Sequence, residues 1–106
     1  MKSKVVFADE KLKNAFDKLK DSKTEDKILK KWLERAFSDL EENAFCGIQI
    51  PKKLFPKEYK NLDNLWKYDL PKGWRLIYTV KKEEVIVLSI VLEWLDHKCY
   101  ERRFKY

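Results

Sequence analysis

Asn64-Leu65-Trp66-Lys67-Tyr68-Asp69-Leu70-Pro71-Lys72-Gly73-Trp74-Arg75-Leu76-Ile77-Tyr78-Thr79-Val80 is the stretch on which the fold turns. Pro71-Lys72-Gly73 is a turn signal between two runs rich in aromatic and β-branched residues. Residues 74–80 alternate: Trp74, Leu76, Tyr78 and Val80 face one way, and Arg75, Ile77 and Thr79 the other. Residues 65–70 supply the partner strand. The charged residues 81–84 then read as a second hairpin turn. Residues 85–92 form a continuous β-branched run, which predicts a third strand covered on both faces.

Upstream the period changes. Ile48-Gln49-Ile50 stops at Pro51, and residues 51–61 read as an ordered connection with a helical turn around 57–60. Leu29, Leu33, Ala36, Phe37 and Leu40 form a helical stripe, widened by Ile28 and Trp32. This second helix runs to about Asn43. Its start matches an S-x-x-E capping box at Ser22-Lys23-Thr24-Glu25. A polar break at 20–23 separates it from a first helix carrying Leu12, Phe16 and Leu19, with Asp9 as N-cap. Residues 4–7 open the chain as a strand. The tail, 93–106, reads as a last helical turn or an irregular cap. The expected fold class is α+β: an N-terminal strand and a two-helix hairpin packed on one face of a small, mainly antiparallel twisted sheet, in a single domain over 1–106.

The 106 residues carry a net charge of +6, of which residues 1–50 hold +1 and residues 51–106 hold +5. Such a lopsided balance suits a polyanion or an acidic partner, and equally a solvated lysine-rich surface. Cys46 and Cys99 form no C-x-x-C and no cluster with the single histidine, so no structural zinc site is expected. Two free thiols fit a reducing cytoplasm. The N-terminal segment has no apolar core of a signal peptide, and no run is long enough to span a membrane. No P-loop, dinucleotide fingerprint or nucleophile elbow is present, and no cofactor is expected.

The stretch 64–78 resembles the central hairpin of RelE-like toxins, with a basic strand, a turn and then G-[YW]-R-[LI]-x-Y. His97-Lys98-Cys99-Tyr100-Glu101 is similar to the H-K-x-Y-[DE] ending of HigB-like members. The order of elements agrees with that of the RelE/ParE superfamily. The resemblance implies the toxin of a type II toxin–antitoxin pair, with a cognate antitoxin as partner. It implies an endonuclease that cuts mRNA in the ribosomal A site and so inhibits translation. ParE-like relatives share the fold but inhibit a topoisomerase, and an inert binding domain is a further alternative.

Metal-independent RNA cleavage turns the ribose 2′-OH on the adjacent phosphorus. It needs a proton acceptor, cations for the crowded phosphate and a donor for the leaving 5′ oxygen. By resemblance, Arg75 is the arginine that contacts the scissile phosphate, and a guanidinium can clamp a phosphate with paired hydrogen bonds. Its other reading is a strand arginine paired to Asp69 or Glu93. Tyr100 matches the C-terminal tyrosine that stacks on a base or assists proton transfer, or else it packs the tail onto the sheet. His97 is a natural proton carrier or a solvent-exposed residue. Lys67 matches a basic position on the preceding strand. Two residues on, the family pattern is basic again, but here stands Asp69. That departure weakens catalysis, changes the base, or orients Arg75 by pairing with it. Lys72, Trp74, Lys98, Arg102 and Arg103 are candidates for nucleic-acid contact, with the alternatives of core packing for Trp74 and a solubilising terminus for the basic tail. Trp94 and Leu95 are apolar residues that could receive an antitoxin helix, unless Trp94 is buried.

Overall fold

The computed structural model describes residues 1–19 and 23–104. Asp9 ends the first strand and starts the first helix, because its carboxylate accepts the Leu12 N–H at 2.8 Å. The helix α1 spans Glu10–Lys18. The second helix, α2, spans Thr24–Glu42 behind Lys23. Ser22 of the expected capping box lies outside the described residues, as do Lys20 and Asp21. Leu29, Leu33, Ala36 and Leu40 recur at steps of three and four and are all buried, so one face of α2 packs inward. Each fully buried leucine contributes about 1.5–3 kcal/mol. Ile28 is exposed and lies off the stripe it was expected to widen.

The strands are β1 (Lys4–Phe7), β2 (Ile48–Gln49), β3 (Trp66–Asp69), β4 (Arg75–Lys82) and β5 (Val87–Leu95), in the spatial order β1-β5-β4-β3-β2. β1 runs parallel to β5, and the other three pairs are antiparallel. One difference from expectation lies in the second hairpin. Lys81 and Lys82 continue β4, while Val85 and Ile86 sit in the turn, Val85 with 92% of its surface exposed. The bond from Glu83 N–H to the Ile86 carbonyl, 2.8 Å, closes that turn.

Two cores flank the sheet. On one side α1 and α2 cover Leu76, Tyr78, Val80 and Val91, with Phe7, Phe16 and Phe37 in mutual ring contact at 5.3–5.7 Å. Trp94 packs on this side, its ring 6.4 Å from Phe16, so it belongs to the core. On the other side lie Ile50, Phe55, Leu65, Ile77, Tyr100 and Phe104, with Leu92 and Leu95 against them. Two short 3-10 turns, Lys52–Leu54 and Lys57–Tyr59, carry the connection along this side. The tail differs most from expectation. It completes β5 and then forms an eight-residue helix, α3, His97–Phe104. Helices therefore cover both faces of the sheet, because Tyr100 and Phe104, four apart, bury one face of α3 opposite α1 and α2.

Candidate functional site

Hairpin register sets the site. Asp69 and Arg75 are partners across β3 and β4, and Arg75 also faces Leu95 on β5. Arg75 Nε lies 2.9 Å from Asp69 Oδ1, and Lys67 Nζ lies 3.6 Å from the same oxygen. The Arg75 Nε–H is not aimed at that oxygen, so the contact is an ion pair without a directed hydrogen bond. The guanidinium also reaches its neighbour's carbonyl through Nη1, 3.4 Å from Trp74 O.

Tyr100 of α3 roofs this pair of cations. Arg75 Cζ stands 5.0 Å from its ring centroid and Lys67 Nζ 5.4 Å. Such contacts contribute about 0.5–2 kcal/mol each. Under this roof the Lys67 and Arg75 side chains are each only 18% exposed, whereas Asp69 is 49% exposed. Tyr100 itself is 2% exposed, and its ring is part of the second core beside Phe104.

α3 begins at Asp96, whose carboxylate accepts the Cys99 N–H at 2.8 Å. That bond holds the Asp96 carboxyl below the usual carboxylate range. His97 is the first helical residue, exposed, and its Nε2 pairs with the Glu101 carboxylate one turn on. It also lies against the hairpin turn. A Cβ on Gly73 would come within 2.9 Å of His97 Cβ, and Gly73 has φ +79°, so glycine is required there twice over. Asp69, Arg75, Gly73 and His97 thus meet at one end of the sheet. Lys72, at φ 62°, is exposed on the same turn.

The remaining basic candidates divide. Lys98 and Arg102 are exposed on α3. Arg103 is committed elsewhere: its Nη1 lies 2.7 Å from Glu58 and 3.3 Å from Glu93. Trp74 packs against the first core and lines a cleft with Ile28, Leu29 and Trp32. Among the described residues, no group of three or more His, Cys, Asp or Glu could hold a metal ion.

The family model of the ParE toxin of type II toxin-antitoxin system, parDE, matches residues 7–92. The chain belongs to this toxin family. The α+β fold, with three α-helices and a five-stranded mixed sheet among the described residues, agrees with RelE/ParE membership. A ParE-family toxin has a cognate antitoxin as its partner. No curated protein and no solved structure matches the chain. Among the described residues, no helix is long and apolar enough to cross a membrane.

In the sequence Tyr59 and Glu58 carry no evident role, and Glu93 stands only as a possible partner of Arg75. The Tyr59 hydroxyl donates to the Glu93 carboxylate, and Arg103 pairs with both acids. Burial, then the bond to Glu93, pushes the Tyr59 hydroxyl far above its ordinary value. The sequence places Glu93 in the charged tail, just past the strand read over 85–92, whereas β5 runs on to Leu95 and takes Glu93 in as its one acid. A carboxylate in such a place requires partners.

Proposed function

We propose that this ParE-family toxin is a metal-independent endoribonuclease that cuts mRNA in the ribosomal A site of the cytoplasm. One observation carries the reading: a carboxylate, two cations and an imidazole are gathered at one end of the sheet, on Asp69, Lys67, Arg75 and His97. The half-exposed Asp69 accepts the 2′ proton. Arg75 and Lys67 stabilise the charge on the phosphate as the 2′ oxygen bonds to phosphorus. The bond from phosphorus to the 5′ oxygen breaks, and that oxygen takes a proton from His97, which the Glu101 carboxylate holds in place by pairing with its Nε2. The products are a 2′,3′-cyclic phosphate and a free 5′ hydroxyl. Lys72, Lys98 and Arg102 lie exposed where they can track the backbone. Tyr100 acts here as the roof that holds the cations.

A second reading is a non-nuclease toxin that inhibits a topoisomerase. The family match favours it, as does Asp69, which pairs with both site cations. Induced expression followed by mapping of transcript 5′ ends separates the two. The nuclease reading expects new ends within translated codons, and their loss in Arg75→Ala, with an effect on the order of a hundredfold or more. Arrest with intact transcripts and altered plasmid supercoiling would overturn it in favour of the second.

A further inference from the structure

Between Ile77 and Tyr78 the β4–β5 register slips by one residue. Ile77 faces Glu93 while Tyr78 faces Val91, so Leu92 is the extra residue of a β-bulge. Regular alternation would send Val91 and Glu93 to the same side, into the core under α1 and α2. The bulge instead gives two successive residues, Leu92 and Glu93, to the α3 side. Leu92 packs into the second core and Glu93 meets Tyr59 and Arg103, while Val91 and Trp94 remain in the first.

Glu93 is therefore aimed at α3 by the backbone itself. Its side chain is 16% exposed, and Arg103 Nη1 lies 3.3 Å away. Arg103 also holds Glu58 of the connecting segment at 2.7 Å. One guanidinium thus ties the last turn of α3 to β5 and to the 3-10 turn at Lys57–Tyr59. At the other end of the helix, Asp96 caps the first turn. Between these ties sits Tyr100 over Lys67 and Arg75. Tyr100 and Phe104 lie on one line along the helix, and burial along a single line permits the helix to roll about it. The Arg103 tie, displaced around the helix from Phe104, opposes that roll.

We propose that Glu93 is a positioning residue: through Arg103, with Tyr59 and Glu58 around it, it latches α3 so that Tyr100 and His97 are held at the Lys67–Asp69–Arg75 end of the sheet. The inference rests on the reading of that end as the toxin's working site. Glu93→Gln keeps the shape and an acceptor for Tyr59 but removes the charge that Arg103 needs.

The test uses the full-length chain and two readouts. Hydrogen exchange of the α3 amides is compared with that of β4, and growth arrest is scored at fixed induction. Glu93→Gln is expected to speed α3 exchange at least about tenfold, leave β4 exchange unchanged, and weaken arrest. Arg103→Met is expected to do the same, and the double variant to do no more than either alone. Three results would overturn the latch: wild-type exchange and arrest in Glu93→Gln, a loosened α3 with full arrest, or α3 and β4 loosening together as for a merely structural residue. Arrest is scored whatever its cause. Intact transcripts in the wild type would therefore sink the nuclease reading and leave the latch to be judged on its own.

Discussion

Asn64 stands in for a strand that has ended. β3 begins at Trp66, so Val80 of β4 has no partner strand on that side. The Asn64 carboxamide fills the gap. Its Oδ1 accepts the Val80 N–H at 2.8 Å, and its Nδ2 donates to the Val80 carbonyl at 2.9 Å. The Thr79 hydroxyl donates to the Asn64 carbonyl at 2.8 Å. Asn64→Ala leaves the Val80 N–H and carbonyl unpaired at the end of the buried run 76–80. It should cost about 1–3 kcal/mol in denaturant unfolding, and an unchanged midpoint would contradict the bridging role. Nothing in the sequence announces this: an asparagine ahead of a strand reads as a turn residue. The position of Arg75 was legible because a cation inside an alternating strand stands out, and that of Lys67 only through the family resemblance. Tyr100 reads from the sequence either as a base-stacking residue or as one that packs the tail onto the sheet, and its burial follows from where α3 docks. Arg103 looked like a basic-tail residue, since its two acids are 45 and 10 positions away in the chain.

Elements were readable to the extent that periodicity defines them. The α2 stripe of Leu29, Leu33, Ala36 and Leu40 appears in the structure, because burial on one face leaves a period in the sequence. The alternation of β4 sorts its residues between the two cores, Leu76, Tyr78 and Val80 to one and Ile77 to the other. The ends of the β4–β5 hairpin are not readable in this way, because register and not propensity places its turn. Val85 and Ile86 favour strands, yet pairing of Lys82 with Val87 puts them at the tip. The bulge at Leu92 was invisible for the same reason. α3 was half visible. Its charged surface hid a helix whose inward face is only Tyr100 and Phe104. A short helix with so narrow an apolar face depends on its cap and its ion pairs, which gives Asp96 and Arg103 their weight.

At the scale of the molecule, the basic half is less free than its balance of charge suggests. Lys67, Arg75 and Arg103 all face carboxylates, leaving Lys72, Lys98 and Arg102 as exposed cations near the candidate site. The tyrosines give the fold a pH dependence of definite sign. Burial raises the phenols of Tyr59, Tyr68 and Tyr78, and a bond to Asp39 adds to it at Tyr68, which is pushed up to about 12. An unfolded tyrosine ionises near pH 10. Above that pH the unfolded chain releases protons that the folded one keeps, so stability is full below about pH 10 and falls as pH rises. Unfolding at a series of alkaline pH values should show this decline. Tyr68→Phe should make it shallower between about pH 10 and 12, and a decline of unchanged slope would contradict the assignment.

Asp69 is where the two functional readings diverge most sharply. As the base, its carboxylate is essential; as a neutraliser of Arg75 and Lys67, it is a brake. The decisive measurement is transcript 5′-end mapping in cells induced for Asp69→Asn beside the wild type. Catalysis through Asp69 requires the codon-internal cuts to fall by about 10²–10⁴-fold in the variant. Cuts that persist or increase would show that the carboxylate is not the base, and would contradict the site as assigned.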